Sequence, residues 1–322
     1  MACILIVIVL AGNFTYAPSM ADNLNWPAEV TRSADLQNIW QQTDSNICLD
    51  FHGDPVAARL VIFSDGNHHM ALLETAQAFL KLHPETVDIF YATTPPSVLI
   101  KSIEHNGVSI GNLKISRNPD VFIAPDSVMG SLLEKKLIST HQAFAISQGN
   151  VLLIKKGNPK NIAQITDLLR ETVTLFISNP QTEQASYRVY RDTLIGLCEE
   201  SGIDINLPES KLDAERKDML FGEKIHHREA PQAIYSNAAD VAILYYHLAL
   251  RYCRIFPNEF DFIPLGGTRE SPQPSAGNVC SNYHAGVVNS SENKSMANAF
   301  IQFLLSDEGK AIYESHGLRA AI

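Results

Sequence analysis

Residues 225–231 hold the densest set of reactive side chains in the chain: Ile225, His226, His227, Arg228, Glu229, Ala230 and Pro231. Imidazoles near their ordinary pKa exchange protons and bind metals. A guanidinium presents a rigid fork of donors that suits a carboxylate or an oxyanion. Proline fits the first turn of a helix, where its missing N–H costs nothing. The pattern predicts a loop running into a helix N-terminus, where free N–H groups and the helix dipole favour anions. A surface loop with an ordinary Arg–Glu pair is the plainer reading of the same residues.

Such a cluster needs elements to hold it. Apolar runs predict strands over 59–64, 87–91, 120–124 and 151–155, with helices over 70–82 and 98–104 and a further one ending near 137. A second series follows, with strands over 173–178, 240–245, 260–264 and 283–288. A long helix is expected over 184–201, and closing helices over 296–305 and 307–316, with Ser306 as N-cap of the last. The stretch 207–221 is charged and reads as surface cover, and 266–282 reads as loop. Strands alternating with helices imply an α/β fold with mainly parallel sheets. In such sheets ligands bind beyond the carboxyl ends of the strands. Ser64, Asp65, Gly66 and Asn67 lie at one such end, and Thr93 and Thr94 at another. Asn179 to Glu183, including Thr182, lies at a third, and Tyr245 at a fourth.

Composition bounds the rest. The chain has 322 residues and a net charge of −10, which argues against non-specific nucleic-acid binding. A hydrophobic fraction of 45% and a charged fraction of 19% describe a globular protein. Residues 1–21 carry no charge, and an aliphatic run over 4–10 is too short to span a bilayer. It reads as the core of a secretory signal peptide cleaved after Ala21, although no Lys or Arg precedes it. The remaining length exceeds the usual single core and implies two domains. Cys48, Cys198, Cys253 and Cys280 would remain after cleavage; none forms a CxxC pair, and both disulfides and free thiols stay open.

The order of elements, together with particular motifs, resembles the molybdate-binding-protein-like branch of bacterial extracellular solute-binding proteins. The motifs are Leu60, Val61, Ile62 and Phe63 running into Gly66 and Asn67; Thr94, Pro95 and Pro96; Asn118, Pro119, Asp120 and Val121; and Gly157, Asn158 and Pro159. Asn179 and Pro180 follow, then His226, His227 and Arg228, then Ala239, Asp240 and Val241. The sequence departs from that pattern at His68 and His69, at Ser97, and at Glu229 and Ala230. The resemblance implies a type II periplasmic-binding-protein clamshell, each lobe a mainly parallel sheet flanked by helices. It implies a signal peptide at 1–21, an N-terminal extension at 22–57, lobe 1 at 58–150 plus 283–322, and lobe 2 at 151–282 with the hinge crossovers.

The resemblance further implies a periplasmic carrier, expected as a monomer without cofactor, that delivers a solute to the permease of an ABC transporter in the inner membrane. The expected ligand is an oxyanion such as molybdate or tungstate. The residues expected to bind it are Ser64, Asp65, Gly66, Asn67, Thr93, Thr94, Thr182, Glu183, His227, Arg228 and Tyr245. Dense hydrogen-bond donors suit a dianion that has no side chain to grip. The alternatives are a transition metal held by His226 and His227, with His68, His69, Glu229 or Asp65 nearby, and a small carboxylate gripped by Arg228. An enzyme is the third class. No GxSxG, HExxH or phosphate-loop motif supports it.

Overall fold

The computed structural model describes residues 24, 51–94, 96–110, 113–223 and 226–321. The expected signal peptide, Cys48, Pro95 and Ile225 lie outside the described residues.

The chain enters through β1 (Phe51–His52) and β2 (Leu60–Ser64), which runs through a 3-10 turn at Gly66–His68 into α1 (His69–Leu82). Next, β3 (Ile89–Ala92) leads into α2 (Pro96–Glu104). A hairpin of β4 (Val108–Ile110) and β5 (Leu113–Ile115) follows, then β6 (Val121–Pro125), α3 (Asp126–Glu134) and β7 (Gln142–Ile146). The chain then crosses into β8 (Asn150–Lys155), β9 (Leu175–Ile177), α4 (Gln184–Glu200), α5 (Asn206–Lys211) and β10 (Met219–Phe221). After α6 (His226–Tyr235) come β11 (Val241–Tyr245), α7 (Tyr246–Ile255) and β12 (Phe260–Pro264). It returns through β13 (Asn282–Val287), α8 (Lys294–Leu305), α9 (Asp307–Ser315) and β14 (Arg319–Ala320).

Two sheets result. One has seven strands in the order β1-β3-β2-β6-β13-β7-β14, the other five in the order β10-β9-β11-β8-β12. Within the first, β2 is parallel to both β3 and β6, and β13 is antiparallel to β6 and β7. Within the second, β9 is parallel to β10 and β11, and β8 is antiparallel to β11 and β12. The chain passes between the sheets at β7–β8 and again at β12–β13. This is the two-lobed clamshell of type II periplasmic binding proteins.

Burial explains the unbroken apolar runs. Along β2, Leu60 and Ile62 join one core, while Val61 and Phe63 join another on the opposite face of the sheet. A strand covered on both faces has no polar side to alternate with. The second lobe has its own core, built on β8, β9 and β11 and reached by Leu24, whose N–H donates to Gln232 Oε1 at 2.9 Å. The Ser306 cap forms as expected, accepting from Gly309 N at 3.1 Å.

The stretch 207–221 differs from the expected surface cover, because it contributes most of α5 and all of β10. Lys211 is 1% exposed. Its Nζ donates to Asp218 Oδ2 at 2.5 Å and to the carbonyls of Val173 and Arg170 at 2.8 and 3.2 Å. Arg216 grips the same carboxylate through Nε and a terminal nitrogen, each at 2.8 Å. The hydrogen bond from Arg216, with those from Lys211, holds Asp218 well below the ordinary carboxylate range. A charged stretch can enter the interior when its ions pair in this way. β1 also lies inside the stretch read as an extension, paired antiparallel with β3.

Candidate ligand-binding cleft

A cavity of about 750 Å³ opens between the lobes. Its first wall is made where the first sheet's strands run into helices: Asp65, Gly66 and Asn67 after β2, Thr93 and Thr94 after β3, and Asp126 and Ser127 after β6. Thr182, Glu183, Gln184 and Ser186 line the opposite wall, with His226, His227 and Tyr245, and Cys280 and Ser281 line it at the crossover. The N-terminal ends of α2, α3, α4 and α6 therefore all meet one space, and each brings a positive dipole end.

Asp65 caps the 3-10 turn. Its Oδ1 accepts from Asn67 N at 2.6 Å and its Oδ2 from Asn67 Nδ2 at 3.2 Å. Burial pushes its pKa up to about 6. Gly66 sits where a side chain would be tight. A Cβ there would lie 3.1 Å from the Thr93 carbonyl oxygen and 3.3 Å from His227 Cε1. Thr93 and Thr94 are each 1% exposed, and among the described residues their hydroxyls have no hydrogen-bond partner.

On the second lobe the polar groups are wired together. Glu183 Oε2 accepts from His226 N at 2.9 Å, its Oε1 lies 2.7 Å from His226 Nδ1, and His226 Nε2 lies 2.9 Å from the Tyr190 hydroxyl. The Tyr190 ring meets Tyr245 edge-on, and the Tyr245 hydroxyl lies 3.0 Å from Ser281 Oγ at the crossover. Burial raises the Tyr190 and Tyr245 pKa values, so both stay neutral hydroxyls. His227 stacks near His69 with ring centroids 5.7 Å apart. Burial, with the charges of its neighbours, holds its pKa well below 6.5, so it faces the cleft as neutral imidazole.

The cluster differs from its expected setting. Helix α6 already starts at His226, and Pro231 lies inside it rather than in its first turn. Proline cannot donate to the carbonyl four residues back, which belongs to His227. That oxygen instead accepts from the Tyr252 hydroxyl of α7. The buried acceptor is satisfied by tertiary structure, and the helix tolerates the proline.

Most residues expected to bind ligand come together here. Ser64 and Arg228 do not reach the cavity. Ser64 Oγ points into the lobe, 3.0 Å from the Asp65 carbonyl and 3.3 Å from His68 Nε2. His68 is buried against Tyr313, which lies 3.0 Å from its Nδ1, and burial lowers its pKa to about 3. Arg228 is buried beside the cleft. Glu229 accepts from Glu223 N at 3.0 Å through Oε2. Cys198, Cys253 and Cys280 are free thiols.

Sequence reasoning missed His247 and Ser281. His247 Nε2 crosses between the lobes to the Asn67 carbonyl at 3.1 Å, and burial lowers its pKa to about 3. It directly follows Tyr245 and Tyr246 at a strand end, a signal that was available. Ser281 lies in a stretch without periodicity and gives no local signal.

Two lobes enclosing a donor-lined cleft, joined by paired crossovers, define a solute-binding protein. The chain belongs to the bacterial extracellular solute-binding proteins, whose family profile matches residues 60–319. No curated protein sequence matches it. Among solved structures it is similar to the substrate-binding domain of a putative molybdenum ABC transporter from Clostridium difficile, with 18% identity, a TM-score of 0.54, and coverage of 82% of this chain and 99% of that one. The sulfate-binding protein SubI from Mycobacterium tuberculosis shows 14% identity, a TM-score of 0.60 and coverage of 81% and 86%. The periplasmic molybdate-binding protein of Azotobacter vinelandii shows 15% identity, a TM-score of 0.55 and coverage of 82% and 99%. Among the described residues no helix is long and apolar enough to cross a membrane.

Proposed function

We propose that this protein captures a small oxyanion of the molybdate, tungstate or sulfate class between its lobes and delivers it to the permease of an ABC importer. The observation that carries this reading is the pair of buried hydroxyls of Thr93 and Thr94, two residues of the cavity wall, without a partner among the described residues. A buried hydroxyl without a partner is costly, and a charged acceptor turns that cost into a strong bond. Two of the cleft's carboxylates, Asp65 and Glu183, are engaged by neighbours. Asp65 is taken up by Asn67 and Glu183 by His226, so both brace the donors around them. Neutral His227 and the helix ends supply further donors. Arg228, off the cavity, supports the frame rather than the ligand.

The remaining parts of the reading rest on the same resemblance. Residues 1–21 direct export to the periplasm. Residues 58–150 with 283–322 form one lobe and 151–282 the other. The carrier works as a monomer and performs no catalysis. Ligand contacts from both lobes stabilise the closed state, and only that difference shifts the population.

A thermal-shift panel on the purified protein tests this, because a ligand that binds only the native state raises the melting temperature. Molybdate, tungstate, sulfate, phosphate, small carboxylates and Zn²⁺ are compared, each with and without chelator. The expected result is a rise with one or more tetrahedral oxyanions that chelator leaves unchanged, with compaction in solution scattering. A rise confined to carboxylates, or to Zn²⁺ and abolished in His227→Ala, would replace the oxyanion reading.

A further inference from the structure

A second cluster of imidazoles lies on the first lobe. His284 stands on β13 between Ala124 of β6 and Ala143 of β7, its register partners on either side. Two alanines flanking it leave room around the ring. His141, one residue before β7, reaches towards it. Gly286 lies beside it, where a Cβ would lie 2.8 Å from the Thr140 carbonyl oxygen, 3.1 Å from Met129 Cε and 3.4 Å from His141 Cβ. The two Nδ1 atoms lie 2.8 Å apart, with ring centroids separated by 4.8 Å at 66°. On the other side of the His284 ring, Nε2 lies 3.5 Å from Asp126 Oδ1. Asp126 is the first residue of α3 and is largely exposed.

We propose that His141 and His284 chelate one transition-metal dication through their Nδ1 atoms, with Asp126 as the carboxylate that orients His284. Two nitrogens each about 2.0–2.1 Å from one ion lie roughly 3 Å apart, close to the spacing observed. A ligating histidine ordinarily gives its other ring N–H to a carboxylate, which fixes its tautomer and strengthens it as a ligand. Asp126 stands at that position on Nε2. Nitrogen donors select the Zn²⁺, Ni²⁺ and Cu²⁺ class over Mg²⁺ and Ca²⁺, which take oxygen. The half-buried pair stays open to solvent on one side, so water completes the coordination. Asp126 also lines the cleft, which puts the bound ion at the rim of the first lobe. The site shares no histidine with the cleft and does not depend on the oxyanion reading.

Calorimetric titration of the chelator-stripped full chain with Zn²⁺ tests this, paired with melting curves in its presence and absence. The expected result is one equivalent bound with micromolar affinity and a Zn²⁺-dependent rise in melting temperature. His141→Gln and His284→Gln, which keep most of the side-chain volume, should each abolish both. Asp126→Asn should weaken binding about tenfold. His226→Ala and His227→Ala should leave it unchanged. If the wild type binds no Zn²⁺, or if either Gln variant binds as the wild type does, the chelate is wrong. Loss of binding in His227→Ala, with His284→Gln intact, would move the metal to the cleft and overturn the assignment equally. Circular dichroism of each variant without metal separates loss of ligand from loss of fold.

Discussion

The two jaws of the cleft are built on opposite plans. On the second lobe each polar group named here leans on another: Glu183 holds the first turn of α6 through His226, His226 meets Tyr190, and Tyr252 takes the carbonyl that Pro231 leaves open. On the first lobe, Asp65 sets the turn after β2, but Thr93 and Thr94 line the cavity with buried hydroxyls that find no partner among the described residues. One jaw is braced by its own side chains at His226 and Pro231. The other holds its hydrogen-bonding capacity in reserve. Substitutions in the first should therefore act on stability, and substitutions in the second on affinity.

The largest effect is expected from Glu183→Ala. It strips an acceptor from both the N–H and the ring of His226, and roughly 2–4 kcal/mol of unfolding free energy should be lost. Urea denaturation measures it, and Glu183→Gln, which keeps one acceptor oxygen, should lose less. Tyr252→Phe comes next. It orphans the His227 carbonyl and should cost about 1–3 kcal/mol in the same assay. Wild-type stability in either variant would mean that this jaw is not braced as described.

Thr93→Val and Thr94→Val reverse the pattern. Each should weaken binding of the best oxyanion about tenfold in calorimetry, while the unfolding midpoint stays within about 0.5 kcal/mol of wild type. If instead these variants unfold early and bind normally, the comparison of the jaws is inverted.

A pH dependence cuts across this comparison. His68 and His247 have folded pKa values lowered to about 3, so the stability they contribute is present above about 6.5 and lost as the pH falls towards 3. Asp65, raised to about 6, works in the other direction. Its contribution is full below its unfolded value near 3.8 and is lost as the pH rises through 6. Two imidazoles against one carboxylate give a net fall in melting temperature on acidification from pH 6.5 to 4. A rise over that interval would show that Asp65 dominates.

The frame of the molecule was legible in the sequence where burial on both faces leaves an unbroken apolar run, as in β2, β6 and β11. It was not legible where pairing alone makes the strand. β7 mixes exposed and buried positions at Gln142–Ile146, and β10 occupies Met219–Phe221 at the end of a charged stretch. The composition of that stretch hides a buried Lys211, because sequence shows the charges but not that Asp218 meets them. At the cleft, residue types at strand ends indicated the right loops but not the direction of each side chain. Successive helical residues point about 100° apart, so His227 can face the cavity while Arg228 turns from it. The position of Pro231 depended on Tyr252, a partner from the next helix that no local pattern announces.

The hydrogen bond from His247 to the Asn67 carbonyl has a mechanical meaning. A buried contact beside the crossovers acts as a fulcrum, and rotation about it displaces each group in proportion to its distance away. In the proposed opening motion Gly66 and His227, which pack against each other, would separate less than groups farther from this contact.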